Sequence, residues 1–161
     1  MTIETLSSDK ETLDLCNLFL NLPFNRVIGL KLESIQHPYL SLCFSMKPEL
    51  IGNTFKKVLH GGVIASAMDA CAGLHALAIS AQKINHVSHE EKARRLSKSG
   101  TIDMRVDYLT PGKGSTFVVQ SELLRSGRRV TVLRTKLFNE NDTLIAAASA
   151  SYLMECDLSV E

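Results

Sequence analysis

Residues 60–69 combine a histidine, two glycines and a carboxylate at a spacing that suits acid–base chemistry. Gly61 and Gly62 open an apolar run that reaches Ile79, and Asp69 lies inside that run. A run that is apolar nearly all round predicts a helix buried on most sides, where an unpartnered charge is costly. No residue three or four positions from Asp69 along that helix could pair with it. We therefore interpret Asp69 as a functional acid, against the alternative of a structural acid bonded to backbone or to a neighbouring chain.

Small residues on the same side of this helix leave room for a ligand beside the carboxylate. At about 100° per residue, Gly62, Ser66, Asp69, Gly73 and Ser80 fall on one stripe. The start of the helix offers unpaired N–H groups and the positive end of the helix dipole, which together suit an oxygen that gains negative charge. The glycine pair lets a substrate approach the backbone closely, although a tight turn before a helix is the alternative interpretation.

The elements that position these residues follow from the hydrophobic pattern. Ser8 or Asp9 predicts the start of a helix that runs to about Leu22 and ends because Pro23 follows. The polar stretch 81–100 is expected to be an exposed excursion with a short helix around residues 90–96. Alternating apolar and polar residues predict three strands, at about 28–32, 40–46 and 102–108. The turns PGKG, RSGRR and NEND predict the start of three more, at about 116–124, 130–138 and 144–154.

The order of these elements predicts the fold class. A helix and two strands precede the long buried helix, and four strands in hairpin succession follow it. An antiparallel sheet must bury its apolar face, and only the long helix is apolar enough to cover it. We therefore predict an α+β protein with the hotdog fold, in which about six antiparallel strands wrap around a central helix. The 161 residues suit a single domain over 1–161, with an N-terminal helix in 1–22 and the excursion at 81–100.

Composition and charge exclude several classes of function. A formal net charge of +1 gives no field that would attract nucleic acid or anionic membranes. The N-terminus is polar and acidic, unlike a signal peptide, and the long apolar run contains Asp69 and His75, so we expect no membrane insertion and a cytoplasmic location. Four scattered cysteines without a CxxC pair suggest free intracellular thiols, at Cys16, Cys43, Cys71 and Cys156.

The histidines outside the glycine motif do not suggest a metal centre. His86 and His89 lie close in sequence within the polar excursion, but no third ligand accompanies them. His75 points away from the Asp69 stripe, so we expect it in the core or at an interface. The sequence predicts no bound metal.

Four motifs resemble one known family in their order and spacing: LHGGVIASAMD, TIDMRVDYLTPGKG, RSGRR and LIAAASASYL. They are similar to the hotdog-fold acyl-CoA thioesterases of the phenylacetate-degradation (PaaI-like) type, over roughly residues 22–155. An Asp nine residues after the His, in place of Glu, favours this branch. The resemblance implies hydrolysis of acyl-CoA to free acid and CoA, with no cofactor other than the coenzyme A of the substrate. It also implies a homodimer or a homotetramer built as a dimer of dimers.

The resemblance also implies roles for single residues. Asp69 would act as general base or nucleophile on the thioester, and the backbone N–H of Gly61 would polarise its carbonyl. His60 would support that loop. Asn53 is the candidate for a further carbonyl contact, but it lies seven residues before His60 where the family often has six, and a plain turn residue is the alternative. Thr101 occupies the place of a water-orienting Ser in some relatives.

Substrate binding is expected to involve Gly62 and Ser66 near the thioester. Arg125, Arg128 and Arg129 flank a glycine in a predicted hairpin, where they could contact the CoA phosphates or form a solvated basic turn. Two other functions stay open: a hotdog dehydratase or hydratase acting on acyl thioesters, and a non-catalytic acyl-CoA binding module. The sequence does not distinguish an aryl, medium-chain or long-chain acyl group.

Overall fold

The computed structural model describes residues 9–155, and a long helix packed on one face of a sheet organises them. The helices are α1 Lys10–Leu20, α2 Pro23–Ile28, α3 Gly61–Lys83 and α4 His89–Leu96. The strands are β1 Lys31–Gln36, β2 Tyr39–Ser45, β3 Ile51–Asn53, β4 Val58–Leu59, β5 Gly100–Tyr108, β6 Thr116–Ser126, β7 Val130–Asn139 and β8 Leu144–Leu153.

Six of the strands form one antiparallel sheet in the order β1-β2-β6-β7-β8-β5. Helix α3 packs against five of them, β2, β5, β6, β7 and β8. The predicted α+β hotdog fold is therefore confirmed. The remaining strands, β3 and β4, form a separate hairpin immediately before α3.

Close packing between α3 and the sheet depends on small side chains. Ala72 and Ala76 of α3 lie in one buried cluster with Ala150 of β8. Because alanine adds little bulk, the helix can approach the sheet closely at this point. By length and composition α3 could also cross a membrane, but more than half of the qualifying stretch is buried inside the fold.

The N-terminal helix begins as predicted but is followed by a second helix that the sequence did not indicate. Asp9 caps α1 through a 2.8 Å bond from Thr12 N to its Oδ1, whereas Ser8 lies outside the described residues. Helix α1 ends at Leu20, close to the end predicted before Pro23, and Pro23 then starts α2, because proline suits the first helical position. The strand predicted from residue 28 is wrong over its first residues: Gly29 ends α2 with φ of 84°, and β1 begins at Lys31.

The excursion predicted at 81–100 is only partly exposed. The predicted short helix is present as α4, but Ala81 and Ile84 are buried. A salt bridge between Lys92 and Glu11 ties α4 to α1, and the Lys92 side chain is 8% exposed. This segment therefore packs in part against α3.

The thiols of the described residues are unpaired. Cys16, Cys43 and Cys71 are free, and Cys16 and Cys71 are buried. Cys156 lies outside the described residues. Burial raises the pKa of Cys16 to about 11 and that of Cys71 to about 12, so both remain protonated packing groups.

Candidate active site

Asp69 lies in the middle of α3 and accepts hydrogen bonds from two hydroxyl groups of the sheet. The Tyr152 hydroxyl donates to Asp69 Oδ1 over 2.8 Å, and Thr101 Oγ1 donates to the same oxygen over 3.1 Å. The Tyr152 hydroxyl also lies 3.0 Å from the backbone oxygen of Asp69. The half-buried carboxylate therefore has partners, and they come from neighbouring strands rather than from its own helix.

Tyr152 is buried on the helix-facing side of β8. Its side chain lies against Gly73, where an added Cβ would come within 3.5 Å of the ring. Burial, and then the negative charge of Asp69, raise the pKa of Tyr152 well above its usual value. The phenol therefore keeps its proton and acts as a donor toward Asp69.

Thr101 reaches Asp69 because β5 contains a bulge. Thr101 pairs with Tyr152, and Asp103 pairs with the next residue of β8, so Ile102 is an extra residue in the ladder. Ile102 is 56% exposed, whereas the helix-facing side chain of Met104 packs on the core. The bulge thus interrupts the strand alternation and turns Thr101 toward α3.

The carboxylate opens into a pocket of about 370 Å³. Ser66 and Asp69 from α3, Thr101 and Tyr152 give it a polar side. Most of the other lining residues are apolar and come from the four helices, the link between α1 and α2 and the residue after β8: Phe19, Leu22, Phe24, Ala70, Leu77, Leu96 and Met154. A polar group beside an apolar cavity suits a ligand with a reactive head and an apolar tail.

His60 caps the start of α3. Its Nδ1 accepts a 2.8 Å hydrogen bond from the backbone N–H of Gly62. Because Nδ1 is the acceptor, the proton of the neutral ring lies on Nε2. The contact fixes the first turn of the helix, and a direct part for His60 in catalysis stays a prediction.

Gly61 is the first residue of α3, so its N–H has no acceptor within the helix. No other group among residues 9–155 accepts a hydrogen bond from this N–H. The Tyr108 hydroxyl donates to the Gly61 backbone oxygen over 3.1 Å, and the Tyr108 ring lies beside the glycine. The unpaired N–H is the feature expected of an oxyanion donor.

The β3–β4 hairpin packs against His60, the residue that caps α3. A Cβ at Gly52 would lie 2.5 Å from His60 Cα, so only glycine allows this contact. Asn53 follows on the same strand, and its Oδ1 accepts a 2.9 Å bond from Lys56 N. This bond closes the hairpin turn, which fits the turn interpretation of Asn53; the expected carbonyl contact stays a prediction.

The predicted arginine turn lies at the opposite end of α3 from the glycines. Lys83, the last residue of α3, donates to the carbonyl oxygens of Ser126 and Gly127, which connect β6 to β7. A surface depression at this turn is lined by Arg125, Arg128 and Arg129, all exposed, together with Gly127, Val130 and Val132. Three cations and no carboxylate line this part of the described surface.

The Gly61 N–H, the Asp69 carboxylate and the arginine turn lie far apart along α3. Gly61 and Asp69 are eight residues apart, or about 12 Å along the axis at ~1.5 Å per residue. Asp69 and Lys83 are fourteen residues apart, or about 21 Å. The helix therefore does not bring the Gly61 N–H and the carboxylate of one chain to the same reacting atom.

His75 lies in the core, one of the two places expected for it. It is fully buried, and its Nδ1 lies 3.0 Å from Ser121 Oγ. Burial, and then the neighbouring His37, lower the pKa of His75 to about 4. His86 and His89 are exposed, and among residues 9–155 no three His, Cys, Asp or Glu side chains are grouped to hold a metal ion.

Three residues that shape this site were not singled out from the sequence: Tyr152, Tyr108 and Gly52. For Tyr152 a signal was available in the motif LIAAASASYL. Its helix-facing row contains three alanines and then the tyrosine, so Tyr152 is the one polar side chain in that row, after Ala146, Ala148 and Ala150. Gly52 gave no signal, because its need for glycine arises from His60, eight residues later.

Comparison with known proteins decides the family. The thioesterase superfamily profile matches residues 56–146, which include α3 and most of the sheet. The chain belongs to the thioesterase superfamily. Two similar relatives are named medium/long-chain acyl-CoA thioesterase YigI. The Salmonella typhimurium protein is 45% identical over 83% of this chain and 86% of its own length. The Escherichia coli protein is 44% identical over the same shares.

Solved structures agree with the fold of this thioesterase. A Shewanella oneidensis protein related to the thioesterase superfamily has a TM-score of 0.82 and 37% identity, over 91% of this chain and 99% of that one. The Escherichia coli PaaI protein of the phenylacetic acid degradation operon has a TM-score of 0.72 over 92% and 96%, but at 13% identity it supports the fold alone. The predicted class of enzyme, an acyl-CoA thioesterase, is confirmed by these findings.

Proposed function

We propose that this thioesterase hydrolyses medium- and long-chain acyl-CoA at the Asp69 pocket. The main support is the pocket itself, in which one carboxylate lies beside a mostly apolar lining. An alkyl chain of several carbons would gain from burial there, at roughly 0.8 kcal/mol for each methylene group. The names of the relatives from Salmonella typhimurium and Escherichia coli agree with this acyl class.

Asp69 acts as the general base in this proposal. It takes a proton from a water molecule whose oxygen attacks the thioester carbon, and the CoA thiolate then leaves and recovers a proton. The products are a free acid and CoA with its thiol. We expect no metal and no separate cofactor, because a thiolate is a good leaving group.

The developing charge on the carbonyl oxygen is stabilised by the N–H of Gly61 from a second chain. Base and donor must both lie within about 3 Å of the reacting group or its water. A separation of about 12 Å along one helix is too large for that. Two helices related by a two-fold axis could pair Gly61 of one protomer with Asp69 of its partner, which favours a homodimer or a dimer of dimers.

The arginine turn is the proposed contact for the CoA phosphates. It lies about 21 Å along α3 from Asp69, so it suits the far end of a long thiol carrier rather than the thioester. Guanidinium groups bind phosphate oxygens in pairs of hydrogen bonds. Free cysteines and an acyl-CoA substrate suit a cytoplasmic enzyme.

A dehydratase or hydratase is less compatible with the same pocket. That chemistry needs a histidine beside the acid as a second proton-transfer group. The described residues that line the pocket include no histidine, and His60 is engaged with the Gly62 N–H. A non-catalytic binding module would have no use for a carboxylate beside the thioester.

Thiol release from a panel of acyl-CoAs, run beside loss of enoyl absorbance, tests the proposal. We expect thiol release to rise from short to medium and long chains, with no change in enoyl absorbance. Asp69→Asn keeps the oxygen that accepts both hydroxyl bonds, so it should fold, yet lose on the order of 10²–10⁴ in rate. An Asn variant that retains more than about a tenth of wild-type turnover would remove Asp69 as the base.

A further inference from the structure

The two hydroxyl groups beside Asp69 both use the same carboxylate oxygen. Tyr152 and Thr101 donate to Oδ1, and within residues 9–155 no group donates to Oδ2. A carboxylate held in this way has two unequal oxygens. Oδ1 is occupied, while Oδ2 keeps its lone pairs for a proton.

The Tyr152 contact is the more rigid of the two. Its hydroxyl oxygen lies 2.8 Å from Oδ1 and 3.0 Å from the backbone oxygen of Asp69, and its one proton is shared between these two acceptors, so it fixes the side chain relative to the helix backbone. Tyr152 is 3% exposed and belongs to β8, which lies between β7 and β5. Thr101 is exposed, forms a longer hydrogen bond to Asp69 and lies on the edge strand β5.

We propose that Tyr152 is a positioning residue that holds Asp69 with Oδ1 occupied and leaves Oδ2 as the atom that takes the proton from water. The inference rests on the proposed role of Asp69 as the base. Tyr152 touches the carboxylate, and its part is to limit rotation of that group. A side chain fixed in its productive orientation before substrate binds loses less freedom at the moment of reaction.

The described pocket lining contains no ionisable side chain other than Asp69 and Tyr152 that could take or give the proton. Apart from Asp69 and Tyr152, the lining consists of apolar residues, glycine, serine, threonine and asparagine. Buried Cys71, on the same helix as Asp69, keeps its proton because burial raises its pKa to about 12, so it is uncharged. A loss of kcat without a change in KM in a Tyr152 variant therefore reports on the carboxylate.

Tyr152→Phe is the test, because it removes the hydroxyl and keeps the ring beside Gly73. We expect kcat for the best acyl-CoA to fall roughly 10- to 100-fold, the effect of losing a hydrogen bond to a charged group. KM should stay within about twofold, because the ring and the apolar lining are unchanged.

Two further variants make the result decisive. Tyr39→Phe, on β2 and outside the pocket lining, is the matched control and should leave kcat and KM unchanged. In the Asp69→Asn background, Tyr152→Phe should cause little further loss, since both changes act on one group. Urea unfolding of each variant reports whether the fold is intact.

The outcomes separate this inference from the proposed function. An inactive Asp69→Asn enzyme combined with wild-type kcat in Tyr152→Phe would overturn the role of Tyr152 alone. A Tyr152→Phe loss that is equally large without the Asp69 carboxylate would overturn it as well. An active Asp69→Asn enzyme would instead overturn the base itself.

Discussion

The start of α3 places two functions on adjacent residues. His60 uses its ring nitrogen to hold the Gly62 N–H, and the preceding N–H, that of Gly61, is left without an acceptor in the described residues. The Gly62 N–H therefore stabilises the start of the helix, and the Gly61 N–H is available to a substrate. A proposed oxyanion donor of this kind can be tested by replacing Gly61 with proline, which has no backbone N–H.

Gly61→Pro removes that N–H and should leave the helix in place. Proline is well tolerated at the first helical position, and the His60 backbone, at φ −65° and ψ 136°, suits a residue before proline. We expect kcat to fall about 10²–10³-fold, as for loss of one oxyanion donor. Gly61→Ala keeps the N–H, and its Cβ would only touch the Tyr108 ring at 3.5 Å. Equal activity of the two variants would show that the N–H is not used.

Among the elements, those with long patterns were predictable from the sequence and the short ones were not. Helix α3 is apolar on nearly all sides, and β6, β7 and β8 are each ten residues or longer and follow polar turns. Strands β3 and β4 have three and two residues, too few to show a period. The β3–β4 hairpin is held by distant groups, such as the Leu59 N–H bond to the Gly112 oxygen.

Some residues of the candidate site were likewise predictable from the sequence and others were not. Asp69 and Gly61 were found because their types and spacing on one helix matched the chemistry, whereas Thr101 was implied by the family resemblance. Tyr152 is far away in sequence and reaches Asp69 because β8 pairs within the sheet that packs on α3. Such a contact depends on strand pairing, which a single sequence does not reveal.

The β6–β7 hairpin gives a prediction at the scale of an element. Arg128→Ala together with Arg129→Ala should raise KM for acyl-CoA and barely change it for the same acyl group on N-acetylcysteamine, which has no phosphates. Arg134→Ala with Lys136→Ala removes two exposed charges from the same strand, β7, and should leave both KM values unchanged. If the Arg128 and Arg129 changes affect KM equally for both thioesters, the turn is a solvated basic surface that does not contact the CoA phosphates.

At the scale of the whole molecule, the core contains a histidine that must stay neutral. The pKa of His75 is lowered from 6.5 to about 4 in the folded protein. As the pH falls, the unfolded chain therefore takes up this proton first. The contribution to stability is fully present above about pH 6.5 and is lost as the pH falls toward 4.

His75→Gln should weaken this pH dependence. Urea unfolding at pH 7.5 and pH 4.5 would measure the loss of stability in each protein. We expect the wild-type enzyme to lose more free energy of unfolding than the variant, while the acidic residues affect both equally. The same loss in both proteins would exclude His75 as the cause.

The central claim is that one active site uses Gly61 of one protomer and Asp69 of its partner. A heterodimer of Gly61→Pro and Asp69→Asn chains, isolated with two affinity tags, tests it most directly. Each homodimer should be nearly inactive. The heterodimer contains one site with both parts intact, so it should recover about half the activity of a wild-type dimer on a medium- or long-chain acyl-CoA. A heterodimer as inactive as its two parents would contradict the shared site, because a site built within one chain has no intact copy in that assembly.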